Sequence, residues 1–408
     1  MRLVPLSCFV AVVLGLGGAA RAADPAHEFI TEAKTLLVVG ACAEGAAPEG
    51  KAEIVGAHCK KVRVAQAEYR KTWIAVAREF FAAHVPATIP KVVVYPFAGG
   101  DLSSALTVYP DADEITTLSL EPAGDPTALG HLSDKQLTTA LAVVATELSS
   151  LYRANFSVTM NMIEAMRGGM LPTQLIFSLS ALAIHGYEPT SLRYFTLAPD
   201  GSITYLSDAD VARLAKLTDV GRRNRAYANI ELKFRKQGAG GTAREQIYRH
   251  IQANLDDAHI KTNPAALRHL ESKGKVAAMT KAASYLLTFG DFKTMRSYVI
   301  DHVTWMVSDT TGLPPSYGKK AGFRYETWGT FENPNMNAGY ANAPEWRAEF
   351  AAQDKRPLAF RFGYPDHKLH GHLVIMSRAD APATTPAPTT PAPPAKTPAP
   401  APTPPAKH

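Results

Sequence analysis

The first 22 residues decide the compartment in which the rest of this chain must fold. Arg2 gives a positive start, and Leu3 to Leu16 is apolar but too short for an ordinary membrane span. Gly17 to Ala22 is rich in small residues and ends in Ala20-Arg21-Ala22, an A-x-A cleavage pattern. This predicts a cleaved signal peptide over 1–22, a mature chain starting near Ala23, and a working place in the periplasm, the cell envelope or the medium. Such a compartment is oxidising. Cys8 lies inside the apolar run instead of closing it, which argues against a lipid-anchored cysteine. Cys42 and Cys59 are then the two mature cysteines, and they are expected to pair. A loop this short gives a bridge worth about 3 kcal/mol in the chain-entropy picture.

The other end is bounded as firmly. Residues 381–408 hold 11 prolines in 28 positions, mixed with Ala and Thr. Such a stretch has nothing apolar to bury and is expected to stay extended, as a tether or as a tail without a partner. That divides the chain into signal peptide 1–22, a disulfide-bearing N-terminal segment 23–61, a globular body 62–378 and a disordered tail 379–408. The mature balance of 41 basic against 37 acidic residues is mildly positive. No basic cluster is interleaved with aromatics, so no nucleic-acid partner is expected. The apolar stretch 171–187 is interrupted by Thr173, Gln174, Ser178 and Ser180. It reads as a buried helix, and no transmembrane span is expected in the mature chain.

Within the body, Tyr69, Trp73, Val76, Ala77, Phe80 and His84 lie on one helical face that stops at Pro86. Lys91 to Tyr95 is a β-branched run between Pro90 and Pro96, hence a buried strand, and Ile115 to Leu120 reads as a second. Ser133 and Gln136 fit a capping box before a long amphipathic helix. Residues 155–168 and 172–186 read as helical. Asp200-Gly201 predicts a hairpin between 192–197 and 203–206. A second hairpin is read over 226–235 and 244–253. Residues 263–300 read as mostly helical, with strands at 303–307 and near 323–331 and 358–376. Helices and strands do not alternate regularly. The expected fold is therefore α+β: a helix-rich single large domain with a small mixed sheet and β-hairpins.

Several constellations carry chemistry. The strand 91–95 ends in Tyr95-Pro96-Phe97-Ala98-Gly99-Gly100-Asp101-Leu102-Ser103-Ser104. A strand, a glycine turn and a polar helix start can hold an anion or a developing negative charge. The next strand ends at Glu121. If the two strands run parallel, Asp101 and Glu121 leave one sheet edge as a carboxylate pair for acid–base work. Read without chemistry, the same residues are a tight turn, an N-cap and a solvated side chain. Asp309, in Ser308-Asp309-Thr310-Thr311-Gly312, is a further acid or an Asx-turn residue. Tyr95, Ser103, Ser104, Trp328 and Asn333 are candidate substrate contacts, the last two in an aromatic, amide-rich stretch over 323–337. Such a stretch suits a carbohydrate groove or, more simply, a core strand. His367, His370 and His372 form the densest histidine cluster without a recognised ligand spacing, and no metal or other cofactor is expected. There is no serine-hydrolase elbow and no phosphate loop.

The blocks Tyr95-Pro96-Phe97-Ala98-Gly99-Gly100-Asp101, Tyr109-Pro110-Asp111-Ala112 and Leu120-Glu121-Pro122-Ala123-Gly124, with Ala283-Ser284-Tyr285-Leu286-Leu287 and Ser308 to Pro314, resemble a family of bacterial exported proteins. These carry a "YPFSGPD…FP…LEP.G" block and a later "SASYLL…QDDSGIPY" block. The resemblance spans about 62–376 and implies one integrated, exported domain. The family has no known activity, so no residue role is implied. Ala98-Gly99-Gly100 and Ser308-Asp309-Thr310-Thr311 depart from its pattern. The expectation is an exported periplasmic or envelope protein that binds an envelope polysaccharide or another envelope protein. The alternative is an envelope hydrolase using Asp101 and Glu121.

Overall fold

A computed structural model describes residues 25–155, 170–238, 243–282, 286–333 and 342–378. The segment 1–22 expected to be a signal peptide, most of the helix read over 155–168 and the proline-rich tail lie outside the described residues.

Ten strands form one sheet. They are β1 Val92–Tyr95, β2 Glu114–Ser119, β3 Tyr187–Leu197, β4 Ile203–Tyr205 and β5 Asn229–Lys236, then β6 Gln246–Gln252, β7 Val276–Thr280, β8 Val303–Ser308, β9 Phe323–Gly329 and β10 His372–Arg378. Their spatial order is β4-β3-β5-β6-β2-β1-β7-β8-β10-β9. The five central strands β6-β2-β1-β7-β8 run parallel, with antiparallel wings on both sides. This overturns the small mixed sheet with separate hairpins. Both expected hairpins exist, as β3–β4 and β5–β6, but β6 also pairs in parallel with β2 and draws them into one sheet. The other cause is β7, which lies inside the segment read as helical. Of the stretch 358–376, only its end, from His372, becomes strand.

The centre is buried on both faces, as a parallel sheet requires. Side chains alternate between two cores: Val93 and Tyr95 pack on one face and Val94 on the other, as do Ala277 and Met279 against Val276 and Ala278. The first face is covered by α1 (Ile30–Val39), α2 (Ala52–Tyr69), a π-helical turn (Arg70–Ile74), α3 (Ala75–His84), α4 (Leu102–Val108), α5 (Asp134–Ala154) and α6 (Thr173–Ile184). Helix α6 is buried nearly all round, as its composition suggested. The capping box is formed, Ser133 Oγ accepting from Gln136 N while Gln136 accepts from Ser133 N. Cys42 and Cys59 are bridged, their Cα atoms 5.3 Å apart, which ties the loop after α1 to α2. Helix α2 runs through residues 61 and 62, so the N-terminal segment and the body share one core. Among the described residues, no helix is long and apolar enough to cross a membrane.

Candidate functional site

After β1 the chain passes through α4 to β2 on one side, and β7 later arrives on the other side of β1. Strand order therefore reverses at β1, and the carboxyl ends of β1 and β7 flank a topological switch point. Open α/β sheets place their ligands there. Three loops meet at this edge: Pro96 to Asp101 after β1, Lys281-Ala282 after β7, and Asp309 to Leu313 after β8.

Asp101 caps α4, its Oδ1 accepting from Ser104 N at 3.3 Å. The helix start is fixed by Gly100, where a Cβ would lie 2.2 Å from Phe177. Oδ2 of Asp101 accepts from Tyr95 OH at 3.1 Å and lies 2.5 Å from Lys281 Nζ. Lys281 also donates to Ser104 Oγ at 2.5 Å and to Asn155 Oδ1 at 3.4 Å. Asn155, in the left-handed conformation that ends α5, donates Nδ2 to Tyr69 OH at 3.0 Å. The rings of Trp73 and Phe362 stand 5.5 and 5.6 Å from the ammonium. Asp101, Ser104 and Lys281 are 2, 0 and 3 % exposed. Burial pushes the Lys281 pKa down, and the Asp101 and Asp309 carboxylates oppose it. Burial, with Asp101 beside it, holds the Tyr95 phenol well above its usual range.

Asp309 is a clamp. Its Oδ1 accepts from Thr311 N at 2.9 Å, and its Oδ2 accepts from Ala282 N at 2.9 Å and Tyr364 N at 3.0 Å. It thereby fixes Ala282, which has a positive φ, and with it the adjacent Lys281. Gly363 is required beside it: φ is +68°, and a Cβ would meet Asp309 Oδ2 at 1.9 Å.

Ser103 faces elsewhere. Its Oγ is 3.0 Å from His185 Nε2, while Arg78 NH2 is 2.5 Å from His185 Nδ1. A guanidinium only donates, so Nδ1 accepts, Nε2 carries the proton, and the ring donates to Ser103. Burial, with Arg78 and Lys236 nearby, holds the His185 pKa well below its usual range. A neutral His185 in this tautomer cannot take a proton from Ser103.

The parallel pairing of β1 and β2 is present, so Asp101 and Glu121 do leave the same sheet edge. Glu121 is 2 % exposed rather than solvated, and its main-chain oxygen accepts from His250 Nε2 at 2.8 Å. The group around Lys281 consists of Tyr95, Asp101, Ser104 and Asn155, with Asp309 behind it. Trp328 lies apart: it is 9 % exposed, its ring taken up by Phe80, His84 and Arg356. Asn333 accepts from Arg347 at the surface. His370 pairs with Asp366 at 3.0 Å and buried His372 contacts Thr310 Oγ1 at 3.0 Å. Among the described residues, only Cys42, His58 and Cys59 bring three potential metal ligands together, and both sulfurs are in the disulfide.

Lys281, Asn155 and His185 are not singled out by the sequence, and Tyr69 stands out there only as part of a helical face. A short Ala-rich run ending in Lys was the one available signal for Lys281, and period alone does not separate such a run from a helix. No protein family, curated protein or solved structure significantly matches this chain.

Proposed function

We propose that this chain is an exported envelope hydrolase of the acyl-transfer type, with Ser104 as nucleophile and Lys281 as its base. The supporting observation is the Lys281 amine held between Asp101 and Ser104 at the switch point. A buried Lys–Asp pair is costly, and apolar side chains of similar volume often hold a fold as well. Its placement at the ligand-binding edge of the sheet argues for chemistry. Burial favours the neutral amine. In that form Lys281 takes the Ser104 proton as Oγ attacks a substrate carbonyl, then returns it to the leaving group. Water, deprotonated by the same amine, releases the acyl group and restores Ser104. Tyr95 and Asp101 orient the amine, and Asp309 fixes the end of the strand that carries it. Because Ser104 is fully buried, substrate reaches it only by displacing part of its cover.

The complete burial favours a second reading, in which the ion pair only stabilises an exported protein that binds an envelope polymer. A small fluorophosphonate separates the two. The hydrolase predicts a covalent adduct on the Ser104 peptide by mass spectrometry, absent in Ser104→Ala and lost in Lys281→Met. A folded wild type that stays unlabelled at Ser104, yet is retained on peptidoglycan or envelope polysaccharide, overturns the hydrolase in favour of the binder.

A further inference from the structure

One corner of the molecule gathers positive charge without a carboxylate to neutralise it. Helix α6 ends at Ile184, and cationic side chains from three elements converge on the residues that end it. Arg70, opening the π-helical turn, donates Nε to Ile184 O at 3.2 Å. Arg78, on α3, contacts His185 Nδ1 at 2.5 Å. Lys236, the last residue of β5, donates Nζ to His185 O at 3.2 Å and stands 3.9 Å from the centre of the Tyr187 ring. Closing a helix C-terminus with cations is ordinary and favourable. The helix end carries only about half a negative charge, however, and three positive charges face it.

Neighbouring charges do not make up the difference. Among the described residues, none of Arg70, Arg78 and Lys236 forms an ion pair with a carboxylate. Glu188 is held by Arg235 at 3.0 Å. Asp111 is felt at Tyr187 but, among the described residues, forms no ion pair with Arg70, Arg78 or Lys236, and Arg244 acts against it there as a further cation. The crowding is visible in the groups themselves. Lys236 is lowered by burial and by Arg78, and His185 is lowered by burial and then by Arg78, Lys236 and Arg70. An arginine offers five N–H donors and a lysine three, and the contacts above use one from each. Arg70 and Lys236 are exposed and Arg78 is half-buried, so a ligand can approach these side chains from solvent.

The geometry points to an oxyanion-binding site at this corner, formed by Arg70, Arg78 and Lys236 and suited to a phosphate-class group, either free or carried on an anionic envelope polymer. Three cations, even after the half charge of the helix end, are enough to balance the two charges of a phosphate dianion, and guanidinium forks suit its oxygens. This site lies outside the Lys281 group and stands whether or not Ser104 is a nucleophile.

Calorimetric titration of the full chain at low ionic strength tests it, with inorganic phosphate and poly(glycerol phosphate) as separate probes. Wild type is expected to bind saturably. Lys236→Ala and Arg78→Gln should each weaken binding about tenfold, the loss of one charge-assisted contact. Lys216→Ala, which removes the same charge from an exposed lysine that makes none of these contacts, should leave it unchanged. Tighter binding per phosphate of the polymer identifies a polymer-borne group, and equal binding identifies free phosphate. Absence of saturable binding by wild type, or equal weakening in Lys216→Ala and Lys236→Ala, overturns the site. If Arg78→Gln fails to fold, Arg70→Ala takes its place beside the exposed Lys236→Ala.

Discussion

Lys281 has opposing demands placed on it by its neighbours. Burial drives it toward the neutral amine, while Asp101 at 2.5 Å holds the charge. The same contact makes the pair interdependent for stability. Lys281→Met removes the cation and leaves Asp101 buried without it, which should cost about 3–5 kcal/mol in urea unfolding at neutral pH. Asp101→Asn in the same chain keeps an N-cap acceptor for α4 while removing the stranded charge. The double variant should therefore recover most of the loss. A single Lys281→Met that costs under about 1 kcal/mol would show that the Tyr95 hydroxyl and the Ser104 amide satisfy Asp101 without the cation. At this scale the sequence was half legible. Asp101, Ser104 and Asp309 stand out because turn and cap chemistry marks short polar residues after a strand. Lys281 does not, since a lysine that ends an Ala-rich run looks like a solvated one until β7 is known to be central.

The elements show why that strand was missed. β1, β2 and β8 are rich in Val, Ile and Thr and were placed within a residue or two, because β-branched runs between breakers read clearly as strands. β7 is Val276-Ala277-Ala278-Met279-Thr280, where alanine favours a helix and five residues are too few to show a period. What makes it a strand is tertiary: β1 and β8 supply ladder partners on both sides. The short helix α4 carries the opposite lesson. It has seven residues, and its position depends on the cap at Asp101 and on close packing against α6. Gly100→Ala drives a methyl group into Phe177 at the point where the β1 loop enters α4. Overpacking of this kind should cost about 1–3 kcal/mol. It should also displace Asp101 and Ser104 together, lowering fluorophosphonate labelling more than the lost stability explains. Unchanged stability and labelling would show that Phe177 moves aside freely.

For the whole molecule, the sheet's two edges differ in kind. The carboxyl edge carries the Lys281 group, and the opposite edge is joined by an ion network that crosses strands distant in sequence. Glu114, opening β2, is bound by Lys273 and by Arg249 of β6, and Arg249 NH2 also reaches Glu231 of β5 at 2.7 Å. Glu231 faces Arg249 across the expected β5–β6 hairpin, but no local pattern announces Glu114, which reaches Arg249 only through the parallel β2–β6 pairing that made the sheet larger than expected. Burial works to raise the Glu114 pKa, but the charges and hydrogen bonds of Lys273 and Arg249 outweigh it and bring it from 4.5 to about 2. A carboxylate whose pKa is depressed on folding adds stability that is fully present above its unfolded value. That stability is lost as acid protonates it in the native state. For Glu114 the window runs from pH 4.5 down to about 2, and the shift corresponds to the order of 3 kcal/mol. Acid titration of unfolding should show wild type losing stability steeply across that window. Glu114→Gln should begin less stable at pH 7, because Lys273 and Arg249 then share a site without their central anion, and it should lose less on acidification. The two curves should therefore converge near pH 2, and parallel curves from pH 7 to 2 would show that the network does not bind Glu114 as its charge.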